Sequence, residues 1–364
     1  MDTSEPEIQF DRDGICNHCT AALARFRSQL LPPEERQAAL ESLVETIKAE
    51  GRGKEYDCLL GVSGGCDSTT TAYHVKKLGL RPLAVHFDNG WDSELAVDNI
   101  QKTLQRLDIE LYTYVVDWEE FRDIQLAFLK ASVPNAEIPT DHGITALLFR
   151  TAAEQRTRFI LSGSNLATEA IMPISWGHYN QDLKHLRAVH KRFGSIRMRT
   201  MPTISLPNYL WYVLRKGIRQ VPFLNYLDYR KEEAKQRLTA ELGWRDYGGK
   251  HYESVWTRFF QGYYLPTKFG FDKRRAHYST LIVSGNMTRD EALAEIQKPA
   301  YDETLLRADM DFVVKKFGLT REQLDEIVQA PPRKHTDYPS HYFLFHKLGG
   351  GAWKNAFRRI ATGA

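Results

Sequence analysis

The chain has 364 residues, which is enough for one large domain with additions or for two domains. Its 49 basic and 46 acidic residues leave a formal net charge of +3, and this argues against a surface that coats nucleic acid. No apolar run is long enough to span a bilayer, and the amino terminus is acidic where a secretory signal would be basic and apolar. We therefore expect a cytoplasmic protein with no membrane span and no nucleic-acid partner.

The first 20 residues have the composition of a small loop unit and contain the pair Cys16 and Cys19. Two cysteines at this spacing supply half of a tetrahedral zinc site. The other two cysteines, Cys58 and Cys66, fall in a predicted strand and in a glycine-rich loop, so they are not free to complete it. The pair is either half of a Zn²⁺ site or two unpaired thiols in a turn.

A helical pattern fills residues 21–50 and is broken by Pro32 and Pro33, so residues 1–50 form the first predicted segment. From residue 51 onward, strand and helix patterns alternate. After the first strand they are a strand at 82–87, a helix at about 93–107, a strand at 110–116, helices at about 119–131 and 143–156, and a strand at 158–163. This alternation predicts an α/β fold with a doubly wound parallel sheet over residues 51–175.

The most informative stretch begins with the apolar run Cys58 to Leu60 and turns sharply through Ser63, Gly64 and Gly65 into a helix. The first N–H groups of a helix have no internal partner and attract phosphate oxygens. Glycine lets the backbone approach a ligand closely, and serine hydroxyls add further donors. The lysine of a Walker loop is missing, so the turn is either a different kind of phosphate loop or a turn that binds nothing.

The pattern from Ser63 to Ser68 resembles the pyrophosphate loop of the N-type ATP pyrophosphatases, a group that includes asparagine, GMP and NAD synthetases. The resemblance implies an adenine nucleotide alpha hydrolase-like fold that binds ATP and Mg²⁺. It also implies catalytic roles for Ser63, Asp67 and Ser68, with Asp67 as a magnesium ligand.

Two further strand ends face the same edge of the predicted sheet. The backbone of Val85, His86 and Phe87 is suited to hold the adenine, and Asp88 is expected either to bind magnesium or ribose or to cap a helix.

The segment Ser162 to Glu169 is similar to one in NAD synthetases whose glutamate binds magnesium, which implies that role for Glu169. Gly163 and Ser164 are expected beside the α phosphate. The alternative for Glu169 is a solvated carboxylate in a loop. Between these strands, Thr140 or Asp141 is predicted to cap the helix that follows, in a loop that overhangs the nucleotide.

Residues 176–364 depart from this alternation and are predicted to form a mostly helical substrate-binding region. The segment 178–199 is strongly basic, and Lys184, Arg187 and Lys191 share one helix face. We predict that they bind an anionic substrate, and the alternative is a solvated basic face.

An aromatic helix around residues 209–214 is interpreted as core. Further along, Lys268 is expected to contact the substrate, and Lys273 and Arg274 are predicted to stabilise the pyrophosphate leaving group. Helical patterns at 288–297, 302–317 and 320–329 close the region.

Taken together, the segments 14–19, 63–68, 87–91, 136–142, 162–169 and 268–277 resemble the N-acetyl sugar amidotransferases of bacterial surface-polysaccharide biosynthesis over nearly the full chain. The resemblance implies that ATP adenylates the acetamido oxygen of a free or UDP-linked sugar, such as a precursor of lipopolysaccharide O-antigen. Ammonia from a separate glutaminase, of the kind used in histidine biosynthesis, then displaces AMP. A homodimer is compatible with the sequence.

Family members usually carry a second cysteine pair just before the segment that begins at Met1, so zinc is expected only with such a pair. Two other functions compete with the amidotransferase. A tRNA-thiolating enzyme also joins this loop to cysteine pairs, but it needs a sulfur-carrying cysteine near the adenylate, and none follows Cys66. A nucleotide-binding sensor would leave Asp67, Glu169 and the late cationic cluster without a role.

Overall fold

The computed structural model describes residues 1–177, 179–249 and 252–343. Its centre is a parallel sheet of five strands in the order β3-β2-β1-β4-β5. The strands are β1 (Cys58–Gly61), β2 (Pro82–Asp88), β3 (Glu110–Val115), β4 (Phe159–Ser162) and β5 (Arg219–Pro222). The chain moves outward from β1 to β3 and then returns to the other side of β1 for β4. The loops after β1 and β4 therefore separate at a topological switch point, where ligands bind in folds of this kind.

Helices cover both faces of the sheet. The first part of the chain contributes α1 (Asn17–Gln29), α2 (Pro33–Glu50), α3 (Cys66–Lys77), α4 (Glu94–Leu107), α5 (Trp118–Ala131), α6 (Ile138–Glu154), α7 (Leu166–Glu169), α8 (Ile174–Gly177) and α9 (Leu183–Phe193). The second part contributes α10 (Leu206–Leu210), α11 (Lys231–Leu242), α12 (Val255–Phe259), α13 (Leu265–Phe269), α14 (Lys273–Val283), α15 (Arg289–Gln297), α16 (Glu303–Phe317) and α17 (Arg321–Gln329). Turns of π-helix extend α10 over Trp211–Arg215 and join α12 to α13 over Phe260–Tyr264. Short 3₁₀ turns cover Phe223–Tyr226 and His335–Asp337.

The two faces of the sheet belong to two separate cores because side chains alternate along a strand. Leu59 of β1 packs with residues of α5, α6 and the carboxyl-terminal helices. Its neighbours Cys58 and Leu60 pack on the opposite side with residues of α2, α3, α4 and α11. The fold class predicted from the sequence, a doubly wound parallel sheet followed by a mostly helical region, is confirmed.

A third, smaller core holds the amino-terminal unit against the rest of the protein. Ala22 of α1 packs with Ile171, Trp176 and Ala276. The guanidinium of Arg25 donates a hydrogen bond of 2.6 Å to the carbonyl of Ala170, immediately after α7. The amino-terminal unit therefore supports the short helix that ends in Glu169.

Three expectations about the elements were incomplete or wrong. The strand β5 was not predicted. Helix α6 begins at Ile138, after Glu137 in the cap position, so the prediction that Thr140 or Asp141 caps a helix starting near residue 143 was wrong. In the aromatic helix Val213 is buried as expected, but Trp211 and Leu214 are about half exposed, with 48% and 56% of their surface accessible.

Among the helices that the structure describes, none is both long and apolar enough to cross a membrane.

Candidate active site

The loop between β1 and α3 is a tight turn that leaves the amino terminus of α3 facing outward. Gly64 has a φ of +74°, and a Cβ at this position would lie 2.5 Å from the carbonyl oxygen of Ala96, so only glycine fits. The Oγ of Ser63 accepts the N–H of Gly65 at 3.3 Å, and the Oγ of Ser68 accepts the N–H of Ser63 at 3.3 Å. The sequence therefore folds here into a preformed turn at a helix amino terminus.

The loop after β4 lies directly against the first turn of α3. A Cβ on Gly163 would lie 2.8 Å from both the carbonyl carbon of Asp67 and the nitrogen of Ser68, and both of these are backbone atoms. The contact leaves no room for a side chain. It fixes the distance between the phosphate loop and the segment that carries Ser164 and Glu169.

A cavity of about 200 Å³ opens between these two loops. The structure brings seven predicted site residues to its wall: Ser63, Gly65, Asp67, Ser68, Gly163, Ser164 and Glu169. Lys231, Tyr247 and Glu253 also line the cavity, and the sequence analysis had given them no role. We call this the phosphate cavity, because it combines the amino terminus of α3, a lysine and two hydroxyl-rich loops.

The carboxylate of Asp67 is held in place by a residue that does not line the cavity. The hydroxyl of Tyr229 donates a hydrogen bond to its Oδ1. Burial and the negative charge of Asp67 raise the pKa of Tyr229, so the phenol stays protonated and acts as the donor.

A segment that follows α11 covers the loop. The hydroxyl of Tyr247 accepts the N–H of Cys66, the first residue of α3, at 3.0 Å. The indole of Trp244 donates to the carbonyl of Gly64 at 3.0 Å. Burial raises the pKa of Tyr247, which keeps its hydroxyl neutral. A neutral oxygen therefore satisfies one of the helix N–H groups to which a phosphate oxygen would otherwise bind.

A second and larger cavity, of about 460 Å³, adjoins the first, and we call it the substrate cavity. Val85, His86 and Phe87 line it as predicted for an adenine seat. Its remaining polar lining includes Asn89, Asp92, Glu137, Thr140, Asp141, Gln220, Gln261 and Lys273. Ser63, Ser162, Ser164 and Glu253 line both cavities, so the two form one continuous site.

The imidazole of His86 lies between a backbone carbonyl and a carboxylate, and this setting was not predicted from the sequence. Its Nδ1 lies 3.0 Å from the carbonyl of Val62, and its Nε2 lies 3.1 Å from a carboxylate oxygen of Asp92. Burial opposes protonation, but the hydrogen bond and charge of Asp92 outweigh it and raise the pKa of His86.

Of the two cations predicted to bind pyrophosphate, the structure brings one to the site. Lys273 lines the substrate cavity rather than the phosphate cavity, with its Nζ 3.9 Å from the carboxylate of Glu137. Arg274 lies outside both linings, because its guanidinium is bound to Asp272 at 2.8 Å and to the carbonyl of Lys298 at 2.8 Å.

Asp88 and Lys268 are also placed elsewhere. The carboxylate of Asp88 accepts the N–H of Gly90 at 2.8 Å and lines neither cavity, and the residue that caps the following helix α4 is Ser93 rather than Asp88. The ammonium of Lys268 donates to the carbonyls of Ile327 and Ala330, both at 2.6 Å, so it caps the end of α17 instead of contacting a substrate. Burial lowers the pKa of Lys268 to about 8.

Lys184, Arg187 and Lys191 do share one face of α9, but all three are exposed and line neither cavity. Two carboxylates hold the basic segment that follows α9 in place by accepting hydrogen bonds from its backbone N–H groups. Glu120 accepts the N–H groups of residues 199–201, and Asp123 accepts those of residues 195 and 196. These bonds lower the pKa of both carboxyl groups although burial opposes the charged form. The three cations therefore lie at the surface outside both cavities, and a substrate-binding role for them stays a prediction. His178 lies outside the described residues.

The described residues contain no group of three or more side chains suited to hold a metal ion. Cys16 and Cys19 are free thiols, and the N–H of Cys19 bonds to the Sγ of Cys16 at 3.3 Å. Burial raises the pKa of the free Cys19 thiol to about 11. Zinc is therefore not supported. Asp67 and Glu169 supply the oxygen donors that Mg²⁺ prefers, in a cavity with room for phosphates.

Comparison with known proteins gives a family match for the carboxyl-terminal part of the chain. Residues 253–349 match the family model described as LPS biosynthesis protein WbpG-like, C-terminal domain. This segment is therefore similar to the WbpG-like C-terminal domain, and we call it the WbpG-like domain. This domain begins at Glu253, and its residues Ser254, Thr257, Gln261 and Lys273 line the substrate cavity, so it forms one wall of the site. No curated protein matches the chain.

The matches among solved structures include two synthetases. An NH₃-dependent NAD synthetase from Campylobacter jejuni is 14% identical, with a TM-score of 0.34, over 78% of this chain and 97% of its own. An NMN synthetase from Francisella tularensis is also 14% identical, with a TM-score of 0.36, over 80% of this chain and 98% of its own. The match of residues 253–349 to the family model is independent of these two structures.

Proposed function

We propose that the protein is an ATP-dependent, AMP-forming amidotransferase that converts an acetamido group of an N-acetylated sugar into an acetamidino group. The observation that carries the proposal is the continuity of two cavities at the switch point of the sheet. One is built for phosphates, and the other is large enough for a nucleoside and a sugar. The WbpG-like domain supports a role in lipopolysaccharide biosynthesis, because it forms part of the wall of the second cavity.

In this proposal the β and γ phosphates bind at the loop from Ser63 to Ser68. The N–H groups at the start of α3 and the hydroxyls of Ser63 and Ser68 donate to phosphate oxygens, and Lys231, which lines the same cavity, supplies a positive charge. Tyr247 gives up its bond to Cys66 when a phosphate oxygen takes its place. The adenine lies along Val85 to Phe87 on the far side of the loop.

Asp67 and Glu169 would hold Mg²⁺ together with the phosphates. The ion, when bound, neutralises charge on the pyrophosphate as it leaves. The protein's own contribution is to keep the two carboxylates in place, through Tyr229 for Asp67 and through the packing of α1 and α14 for the helix that carries Glu169.

The acetamido sugar would occupy the substrate cavity, where carboxylates and amides suit sugar hydroxyls and Lys273 supplies a positive charge. Its amide oxygen attacks the α phosphorus, and pyrophosphate leaves. An amide is a poor electrophile, but its O-adenylated form has AMP as a good leaving group, which ammonia displaces. The ammonia comes from a separate glutaminase. Because ATP is available in the cytoplasm, we infer that the reaction takes place there.

The tRNA-thiolating alternative would need a reactive thiol beside the adenylate. Cys66 lines the phosphate cavity, so its position alone would allow such a role. Burial raises the pKa of Cys66 to about 11, however, and this keeps the thiol protonated and a weak nucleophile. The chemistry of the site therefore favours transfer of ammonia.

The test is incubation with ATP, ammonium and a set of UDP-acetamido sugars. We expect AMP and pyrophosphate in amounts that depend on the sugar, and a product in which one oxygen is replaced by NH. Asp67→Asn should abolish both, while Asp228→Asn, at an exposed position on the same side of the sheet, should leave them unchanged. Formation of ADP, or turnover only with tRNA, would refute the proposal.

A further inference from the structure

Four residues line both cavities, and they mark the place where the reacting groups must meet. If the phosphates of ATP occupy the phosphate cavity and the sugar occupies the substrate cavity, the α phosphorus and the amide carbon lie at their shared boundary. Three of the four residues, Ser63, Ser162 and Ser164, are serines. The fourth is Glu253, and it is the one carboxylate among them.

The backbone holds Glu253 firmly at this boundary. The N–H of Ser93 donates to the carbonyl of Glu253 at 2.8 Å, and the N–H of Val255 donates to the carbonyl of Trp91 at 2.9 Å. Asp92 and Ser254 form an antiparallel bridge between these two bonds. The first residues of the WbpG-like domain are thus paired with the segment that follows β2, and this pairing fixes the backbone of Glu253 at the boundary.

The carboxylate lies above the phosphate loop. One of its oxygens is 3.5 Å from the position that a Cβ on Gly65 would occupy. A negative charge here does not assist attack on an anionic phosphate, because like charges repel. It does suit the second half of the reaction, in which a nitrogen nucleophile becomes positively charged as it bonds to carbon.

We propose that Glu253 accepts the proton that ammonia must lose when it attacks the O-adenylated amide. The inference rests on the proposed function and adds a catalytic residue to it. The nitrogen lone pair of NH₃ forms the new C–N bond, which gives a tetrahedral adduct bearing –NH₃⁺. One proton passes from this nitrogen to the carboxylate of Glu253 and then to solvent. The C–O bond breaks, AMP leaves with the electron pair, and the product is an amidinium ion.

The proposal separates the two half-reactions, and this separation is its test. In Glu253→Gln, sugar-dependent exchange of labelled pyrophosphate into ATP should persist within about threefold of the unsubstituted protein. Amidine formation with ammonium should fall by about 100-fold, the ordinary contribution of a proton acceptor. Glu253→Asp should restore part of the loss. Hydroxylamine, which gives up its proton more readily than ammonia, should be used by the Gln variant with a much smaller deficit.

Retained exchange also shows that the variant is folded. Glu326→Gln, at an exposed carboxylate of the same domain, should change neither half-reaction. An equal loss of exchange and amidine formation in Glu253→Gln, or no loss of either, would overturn the assignment while leaving the proposed function intact. Absence of sugar-dependent exchange in the unsubstituted protein would instead refute the proposed function and, with it, the role of Glu253.

Discussion

The hydroxyl of Tyr229 donates a hydrogen bond to the carboxylate of Asp67 from a position 162 residues further along the chain. Tyr229 is buried between α3 and α11, and its hydroxyl also lies 3.8 Å from the Sγ of Cys66. Asp67 itself lines the phosphate cavity. Tyr229 is thus a positioning residue for the carboxylate that we place beside the phosphates.

We expect Tyr229→Phe to lower the rate of sugar-dependent pyrophosphate release by about 10- to 100-fold, because a hydrogen bond to a charged group contributes about 1.5–3 kcal/mol. The fold should persist, since the ring remains. Tyr226→Phe is the matched control, because its hydroxyl makes no hydrogen bond within the described part of the chain. Equal rates in the two variants would show that Asp67 does not need this bond.

The close contact at Gly163 makes a second prediction. In Gly163→Ala the added methyl would meet the backbone of Asp67 and Ser68, which cannot rotate away, so the phosphate loop must shift. We expect the affinity for ATP, measured by calorimetry, to fall at least 10-fold. Gly177→Ala adds a methyl 3.6 Å from a side chain and should bind ATP normally. Unchanged ATP binding in Gly163→Ala would mean that ATP does not use this loop.

Two lysines in different settings give a third prediction. Lys231→Ala should raise the KM for ATP by about 10-fold and Lys231→Arg by less, because Lys231 lines the phosphate cavity and its charge would attract phosphate oxygens. Lys184→Ala removes an exposed cation of α9 and should leave the KM for ATP and for the sugar unchanged. A raised KM for the sugar in Lys184→Ala would restore the anion-binding interpretation of the basic segment.

The carboxyl group of Glu120 predicts how stability depends on pH. Its pKa in the folded protein lies below the ordinary value of 4.5, so the unfolded chain binds more protons as the pH falls. Its stabilisation is present above pH 4.5 and is lost as the pH falls through the lower, folded-state pKa. Glu120→Gln should therefore be less stable than the unsubstituted protein by about 1–3 kcal/mol at pH 7, and the difference should shrink below pH 4.5.

Denaturant melts between pH 3 and pH 7 would measure the difference in the free energy of unfolding. Glu119→Gln is the control, because this neighbour is mostly exposed and pairs only with Arg122. A difference between Glu120→Gln and the unsubstituted protein that stays constant with pH would show that packing, and not charge, is responsible.

The sequence predicted most of the fold because local signals were strong. The apolar runs of β1 and β2 and the periodic helices α15, α16 and α17 fall within one or two residues of their expected bounds. The strand β5 has four residues, of which only Val221 is buried, so it has no apolar run to recognise. Helix α6 begins about five residues earlier than predicted, because proline fits the first turn of a helix and Pro139 occupies that turn.

The site was predictable where a single segment supplies it. The loop from Ser63 to Ser68 and the segment from Gly163 to Glu169 have local patterns, and both reach the phosphate cavity. Tyr247 and Glu253 line it, and Tyr229 bonds to Asp67 beside it, only through long-range packing, and nothing in their sequence neighbours distinguishes them. The charges of Arg274 and Lys268 suggested ligand binding, but neighbouring carboxylate and carbonyl groups already satisfy them.

The short antiparallel pairing between residues 91–93 and 253–255 has a consequence for protein engineering. It joins the start of the WbpG-like domain to the segment that follows β2, so neither half of the sequence forms the substrate cavity by itself. A chimera joined just before residue 253 would take the wall formed by the WbpG-like domain from one parent and the rest of the substrate cavity from the other. Which ligand the chimera accepts would then depend on how well these two walls, taken from different parents, fit together at the pairing.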